Sequence, residues 1–476
     1  MAMAKTFFRN LSWSTLQLII NQFLGLLIFY CLSAQLDKSS FGSLNWALSI
    51  LLTAFALLTL GMDQIMVKKI AENDESDSIF TIYTVHTFLT GLLFCALLSI
   101  SWLLFPTLYL GRSMILILAV GKLFIFLSTP FKLMATGKEI FSSLFLMSIS
   151  GNLLKSIAFL LLSFLGQVSI NQILLVFVIS EFAELFICIK LHPASGTVRI
   201  RLFNRKKYQT LLSKHKHQTG ANIFSIALAR MDWILIGWLL NSVSVAEYSF
   251  TYKAYEVATF PYLALAPLLV PAFIKLKHKE APGEHKIIKN LPFIGIFLGG
   301  LIALILNIVW SPLIDSLTNH KYGTVNSQVI LILSACVPVF FLNNFFWSIH
   351  FSLGNNKMIF RIFAFTFVLN LLSDLLLIPI FGNSGAAAGF LISMVFQTAF
   401  YIIKTGQSLI AFMLKPLMLA LSFAWISWYI NLFPNFLVSK LLSAIFIYMV
   451  LTLLLFLKNP YRLPAEVFFP VPKATD

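Results

Sequence analysis

Apolar stretches of membrane-spanning length follow one another along almost the whole of this 476-residue chain, and several carry a charged residue near their midpoint. A helix needs about 20 mostly apolar residues to cross the hydrocarbon core of a bilayer. With 59% hydrophobic residues and a mean hydropathy of +0.89, the chain supplies about fourteen such stretches. They lie near 11–33, 43–66, 79–105, 113–136, 141–166, 170–189, 219–240, 248–273, 291–316, 327–351, 361–381, 386–403, 409–430 and 437–457. No sizeable soluble domain remains. The first stretch follows Lys5 and Arg9 without a small-residue cleavage site behind it, so it reads as a retained helix.

The formal net charge of +16 raises nucleic acid as a partner, but the placement of the 34 Lys and Arg argues against it. With the N-terminus inside, Lys38, Arg112, Lys321 and Lys440 fall outside, and Lys122, Lys155, Arg230 and Lys253 fall within spans. The rest, counting Lys132 and Lys415 at inner span ends, fall on the cytoplasmic side, which is the positive-inside signature of an inner-membrane protein with both termini cytoplasmic. The two richest segments, Lys190 to Lys216 and Lys275 to Lys289, are read as topology determinants and anionic-lipid contacts. Cys31, Cys95, Cys188 and Cys336 sit in apolar spans without metal-ligand spacing, and neither His86 nor His350 has a second ligand at i+3 or i+4. No metal site is predicted, and no P-loop is present for ATP hydrolysis.

The order of spans is duplicated. Phe41-Gly42-Ser43-Leu44-Asn45-Trp46 pairs with Val245-Ala246-Glu247-Tyr248-Ser249-Phe250, and Asn152-Leu153-Leu154 with Asn370-Leu371-Leu372. Six spans per half bring both halves into the membrane from the same side, which gives parallel repeats about an axis along the membrane normal. The predicted fold class is therefore all-α: a polytopic integral membrane protein with two six-helix bundles around a central cavity and two C-terminal helices. The expected boundaries are 1–195 for the first bundle, 196–217 for a basic cytoplasmic linker, 218–405 for the second bundle, 406–458 for the added helices and 459–476 for a cytoplasmic tail.

Specific residues carry a family resemblance. Gly354-Asn355-Asn356-Lys357, Leu369-Asn370-Leu371-Leu372, and the run from Leu377-Ile378-Pro379 through Gly382-Asn383-Ser384-Gly385 to Ala387 resemble the eleventh and twelfth helices of Wzx-type polysaccharide flippases. These belong to the multidrug/oligosaccharidyl-lipid/polysaccharide exporter superfamily. Leu36 to Gly42, Gly61-Met62-Asp63-Gln64, Arg230-Met231-Asp232 and Leu269-Val270-Pro271-Ala272-Phe273 are similar to other parts of that family. The resemblance covers nearly the whole chain, with 354–390 its most specific part. It implies a non-enzymatic flippase that moves a polyprenyl-diphosphate-linked oligosaccharide to the outer leaflet for surface polysaccharide synthesis. Physics gives the 354–390 motif an architectural role first: glycines suit a tight turn, Pro379 weakens a helix end, and the small residues 386–389 allow helices to approach closely.

The chemistry is expected in the intramembrane charges, because an ionised side chain there costs at least about 3 kcal/mol unless it finds a partner or water. Lys122, Lys155 and Arg230 lie deep in their spans, whereas Lys253 is nearer a span end. Together they form the expected headgroup-binding set. Lys155 and Arg230 are read either as cavity-lining cations or as structural partners of Glu181 or Asp232. Glu181 and Glu184 share a helix face at i, i+3 and, with Asp232 and Asp374, are candidates for ion coupling; the competing reading pairs the two glutamates with Lys155. A local Lys253–Glu256 bridge is expected from the same spacing. Gln17, Asn21, Gln22, Asn152, Asn343 and Asn344 are expected to contact sugar or line the cavity. The lipid tail of the substrate stays in the bilayer, and the two last helices resemble those that border a tail groove in lipid II flippases, with plain packing as the other reading.

The expected partners are the lipid-linked oligosaccharide, membrane lipids and polysaccharide biosynthesis enzymes docked on basic cytoplasmic segments, with no cofactor and no nucleic acid. Two other classes compete. A membrane glycosyltransferase or polymerase would need a large extracytoplasmic loop, whereas the outside loops here are short, such as 34–42 and 241–247. A cation-coupled multidrug exporter of the same superfamily shares the fold, but its cavity favours acidic residues, and this chain mixes both signs.

Overall fold

The structure is a computed structural model, which describes residues 2–72, 76–104, 112–166, 168–192, 204–214, 216–277, 285–405, 415–422, 425–426 and 437–458. Among these residues there is no strand. The principal helices are α1 (Ala2–Gln35), α2 (Lys38–Leu58), α3 (Met62–Ala71), α4 (Ser76–Leu104), α5 (Arg112–Gly137), α6 (Phe141–Leu165) and α7 (Ile170–Lys190). There follow α8 (Arg205–Lys214), α9 (Lys216–Leu228), α10 (Met231–Leu239), α11 (Ser242–Lys277), α12 (His285–Thr318), α13 (Ser327–Ser352), α14 (Asn356–Thr405) and α15 (Leu437–Lys458). Ten helices among the described residues are long and apolar enough to span a membrane, or eleven if the bent pair formed by α9 and α10 is one span. The expected stretch at 409–430 falls largely outside the described residues, as do the start of the expected linker and the tail at 459–476.

Local chemistry sets the breaks. The α2 N-cap Asp37 accepts a hydrogen bond from the Ser40 amide at 3.0 Å, and Ser169 and Gln172 form a reciprocal capping box at the start of α7. The Ser40 hydroxyl and amide hold the Asp37 carboxyl below its ordinary value. The stretch expected as one span at 43–66 ends early, because Leu60 (φ 49°) and Gly61 (φ 64°) turn the chain left-handed between α2 and α3. The stretch at 219–240 is likewise bent by 44° between α9 and α10, around Arg230. In α14, Gly382 adopts φ 58° and ψ −136°, so the 50-residue element is two helical arms meeting at a residue that only glycine fits comfortably.

The chain divides into two compact units, Met1–Gly237 and Trp238–Asp476, so the division falls inside α10 and the first unit includes α8 and α9. In the first unit α5 is the central helix, packed by α2, α3, α4, α6 and α7, while α1 packs on α6. In the second unit α13 holds the equivalent place, packed by α11, α12 and α14. By span order α5 and α13 are the fourth helix of their respective halves, and each packs on the second and third helices of its half. Large apolar side chains such as Leu175, Ile179, Phe182 and Phe186 on α7 stay exposed, while its opposite face buries Phe177, Ser180, Glu181 and Glu184. Apolar outside and ionisable inside is the arrangement that suits a lipid solvent.

Candidate functional site

Three helices of the first unit place five ionisable side chains against one another. Glu181 sits on the inner face of α7, one turn before Glu184, because their spacing of three aligns them along a helix. The Glu181 side chain is 0% exposed, and its Oε1 receives two ammonium groups: Lys122 Nζ from α5, and Lys155 Nζ from α6 at 3.2 Å. The Phe177 ring, one turn earlier on α7, underlies both cations, with Lys122 Nζ 5.5 Å and Lys155 Nζ 5.3 Å from its centroid. Glu184 pairs with Lys132, one of the residues expected at the cytoplasmic end of its span. The half-buried Lys132 side chain instead reaches inward, so this network holds three lysines and two carboxylates.

Glycine makes room for both carboxylates. A Cβ on Gly121 of α5 would collide with Glu181 Oε2, and one on Gly151 of α6 would collide with Glu184 Oε2. Glu181 Oε2 is buried and has no hydrogen-bond partner among the described residues. The two glycines thus act through absent volume. One turn from Lys155 on α6, Asn152 donates to Asn21 Oδ1 on α1 at 3.3 Å. Gln17 and Gln22 are half-buried on the same α1 helix.

The other predicted residues occupy separate places. Arg230 lies at the bend between α9 and α10, with its guanidinium carbon 4.4 Å from the centre of the Trp233 ring, and Asp232 is buried in the first turn of α10. In the second unit Lys253 and Glu256 form the expected local bridge on α11 at 2.8 Å, both part-exposed. Asn343 of α13 donates to the Met394 carbonyl at 3.0 Å and to Gln397 Oε1 at 3.3 Å, while Thr398 donates to its Oδ1 at 2.7 Å. Asn344 is turned back on its own helix, donating to the Phe340 carbonyl at 2.9 Å. Asp374 and Asn370 are both fully buried one turn apart on α14, and the absence of a side chain at Gly389 leaves room for the Asp374 carboxylate.

A further polar cluster was not anticipated from sequence. His86 on α4 bonds the Leu58 carbonyl at 2.8 Å through Nε2 and the Tyr208 hydroxyl of α8 at 3.1 Å through Nδ1. Tyr83, one turn before it, donates to Asp63 of α3. The imidazole bridges the carbonyl at the end of α2, just before the chain turns left-handed, to α8. His192, just beyond α7, stacks on Phe80 at 4.8 Å, and burial pushes its basicity down. The signal was the break residue Gly61 itself, since a helix that stops there leaves carbonyls to be satisfied by other donors.

Comparison with known proteins bears on this architecture. A family model described as "Polysaccharide biosynthesis protein" matches residues 7–277, more than half of the chain. The chain belongs to that polysaccharide biosynthesis family. Among solved structures, a lipid II flippase MurJ in an inward closed conformation matches with TM-score 0.73 at 15% identity, covering 94% of this chain and 99% of MurJ. An inward-facing multidrug resistance MATE transporter of the MOP superfamily matches with TM-score 0.64 at 11% identity, covering 82% and 97%. An outward-facing MATE transporter of the same superfamily gives TM-score 0.59 at 12% identity, covering 83% and 93%. No curated protein sequence matches. The chain is therefore a multi-pass membrane protein of a polysaccharide biosynthesis family, with the fold shared by the flippase and the exporters.

Proposed function

We propose that this protein is a flippase that carries a polyprenyl-diphosphate-linked oligosaccharide from the cytoplasmic to the outer leaflet of a bacterial inner membrane, with both termini cytoplasmic. The observation that carries the reading is the pair of lysines, Lys122 and Lys155, gathered on one carboxylate in the interior of a chain whose family is polysaccharide biosynthesis. Ammonium groups held at that depth suit a diphosphate, which accepts charge-assisted hydrogen bonds through several oxygens. Arg230, at the bend of a broken span, is a third cation for the headgroup, since interrupted helices in transporters mark binding positions. Lys253, already bridged to Glu256, has the smallest share in this role. Gln17, Asn21, Gln22 and Asn152 supply hydrogen bonds for sugar beside Lys155, whereas Asn343 and Asn344, expected in the same role, are engaged within the second unit. The expected domain boundaries enter here as parts of the cycle, with 1–195 and 218–405 rocking about the bound headgroup and 406–458 flanking the lipid tail.

Energetics favour outward movement. A potential of 100 mV, negative inside, acts by about 2.3 kcal/mol on each elementary charge, so a diphosphate of roughly two charges gains about 4–5 kcal/mol if its charge moves uncompensated. Glu181, Glu184, Asp232 and Asp374 are the groups through which an ion gradient would couple. The test is competition binding on the purified protein between an isoprenoid diphosphate and a lipophilic cation. Saturable binding of the diphosphate that survives excess cation is the expected result. Saturable cation binding with no diphosphate binding would instead assign the chain to drug export.

A further inference from the structure

We propose that Glu181 is a resident counter-anion, holding the places on Lys122 and Lys155 that the substrate's diphosphate takes, so that loading is an exchange of one anion for another. The inference rests on the flippase reading and adds a role for a residue that does not itself bind the headgroup. Its basis is a charge imbalance. Two ammonium groups share a single carboxylate oxygen, and the neighbouring carboxylate, Glu184, is already engaged by Lys132. Across Lys122, Lys132 and Lys155 of α5 and α6 and Glu181 and Glu184 of α7, one positive charge is left over. Buried charge is expensive unless it is paired, and a shared oxygen compensates each lysine less than a private partner would.

The geometry also gives the exchange a direction. The residual exposure of the trio lies on the lysines, 9% for Lys122 and 7% for Lys155, while the carboxylate has 0%. An incoming anion therefore meets a lysine side chain before it meets the carboxylate. Phe177 backs both lysines from the side of α7 and stays with them when the carboxylate leaves, since its contact is through the ring and needs no partner exchange. Glu181 Oε2 fills the notch left by Gly121 and has no hydrogen bond among the described residues, so the lysines hold the carboxylate through Oε1 alone. After the headgroup departs, the carboxylate returns to the lysines and resets the site.

This account makes an opposite prediction from a purely structural salt bridge. A structural carboxylate organises the lysines, so its loss weakens any anion site they form. A counter-anion competes for the lysines, so its loss strengthens the site and slows release. The experiment measures binding of farnesyl diphosphate to the full-length protein in detergent, with farnesol as the uncharged control, for wild type and Glu181→Gln. The expected result is about tenfold tighter diphosphate binding by the variant, the order gained by freeing one charge-assisted hydrogen bond, with farnesol binding unchanged. Flipping by the variant should slow in proteoliposomes. Equal or weaker diphosphate binding by Glu181→Gln, with binding to wild type intact, overturns the exchange and leaves the flippase reading standing. Absence of diphosphate binding to wild type overturns both. Should Glu181→Gln not fold, Lys122→Gln is compared with Lys122→Gln/Glu181→Gln, which removes the Lys122–Glu181 pair together. The double variant must bind the diphosphate more tightly than the single one, and a weaker double variant rejects the proposal.

Discussion

Each unit has one helix against which several others pack, and the two units fill the surroundings of that helix differently. In the first, the central helix α5 sends Lys122 and Lys132 into a network with Glu181 and Glu184. In the second, the corresponding helix α13 sends Asn343 into a neutral network with Gln397, Thr398 and the Met394 carbonyl. Amides and hydroxyls satisfy one another in low dielectric and fix a single packing. Buried ion pairs gain little net stability, because the cost of removing both charges from water offsets most of their attraction. A repeat that needed only packing would be neutral in both halves. The lysine–glutamate network around α5, which has no counterpart around α13 among the described residues, points to a task in the first unit, and we assign it the headgroup.

The largest expected effect breaks the charged network. Glu181→Leu leaves Lys122 and Lys155 without their carboxylate and should destabilise the first unit by about 3–5 kcal/mol, whereas the apolar triple variant Lys122→Met/Lys155→Met/Glu181→Leu should recover most of that loss. Thermal unfolding in detergent reads both. A triple variant as unstable as the single one would show that the network is needed for folding.

Next comes the neutral network. Asn343→Leu takes the partner from Gln397 Oε1 and leaves the Thr398 hydroxyl only the Met394 carbonyl, and should cost about 1–3 kcal/mol by the same assay. A cost matching that of Glu181→Leu would erase the contrast between the units.

The N-cap at the start of α2 comes third. Asp37→Ala should cost about 1 kcal/mol or less, because the group is exposed. Its folded-state pKa lies below the unfolded value, so the contribution is present at neutral pH and is lost as pH falls through the carboxylate range. The difference between wild type and variant should shrink on acidification, and a gap that widens in acid would contradict the sign.

Smallest is the local bridge on α11. Lys253→Met should change stability by about 0.5 kcal/mol or less, since a part-exposed i, i+3 pair is weak. If that variant loses transport with its stability intact, the headgroup site extends into the second unit.

Much of this was legible in the sequence because lipid as a solvent simplifies the code. Most spans were readable from length and apolarity, with ten or eleven found among the described residues against about fourteen expected, and the turn at Gly382 from a motif rich in glycine, proline and alanine. Counting residues put Lys122 and Lys155 well inside their spans, and both are buried well inside their helices. Their shared partner was not readable in that way, because a lysine on α5, one on α6 and a carboxylate on α7 are brought together by helix packing that no local period encodes. Pairing of Glu181 with Lys155 was weighed, while Lys132 was set at a span end because a long side chain near a boundary usually reaches for water. Gly121 and Gly151 look like ordinary small residues in apolar helices, and only the packed structure shows which side chain fills the space. Gly61 marked the break, but the apolar run up to Leu60 resumes at Ile65 beyond Asp63 and Gln64, and hydropathy does not report backbone handedness.

The central claim is transport of a lipid-linked sugar through a cationic headgroup site, and flipping of a fluorescent polyprenyl-diphosphate oligosaccharide in proteoliposomes measures it directly. The comparison is wild type against Lys155→Ala/Arg230→Ala, with an inside-negative potential imposed and folding checked by thermal unfolding. The account predicts flipping by wild type and its loss in the double variant. Undiminished flipping by the double variant would contradict the assigned site, and no flipping by folded wild type across several lipid-linked sugars would contradict the function.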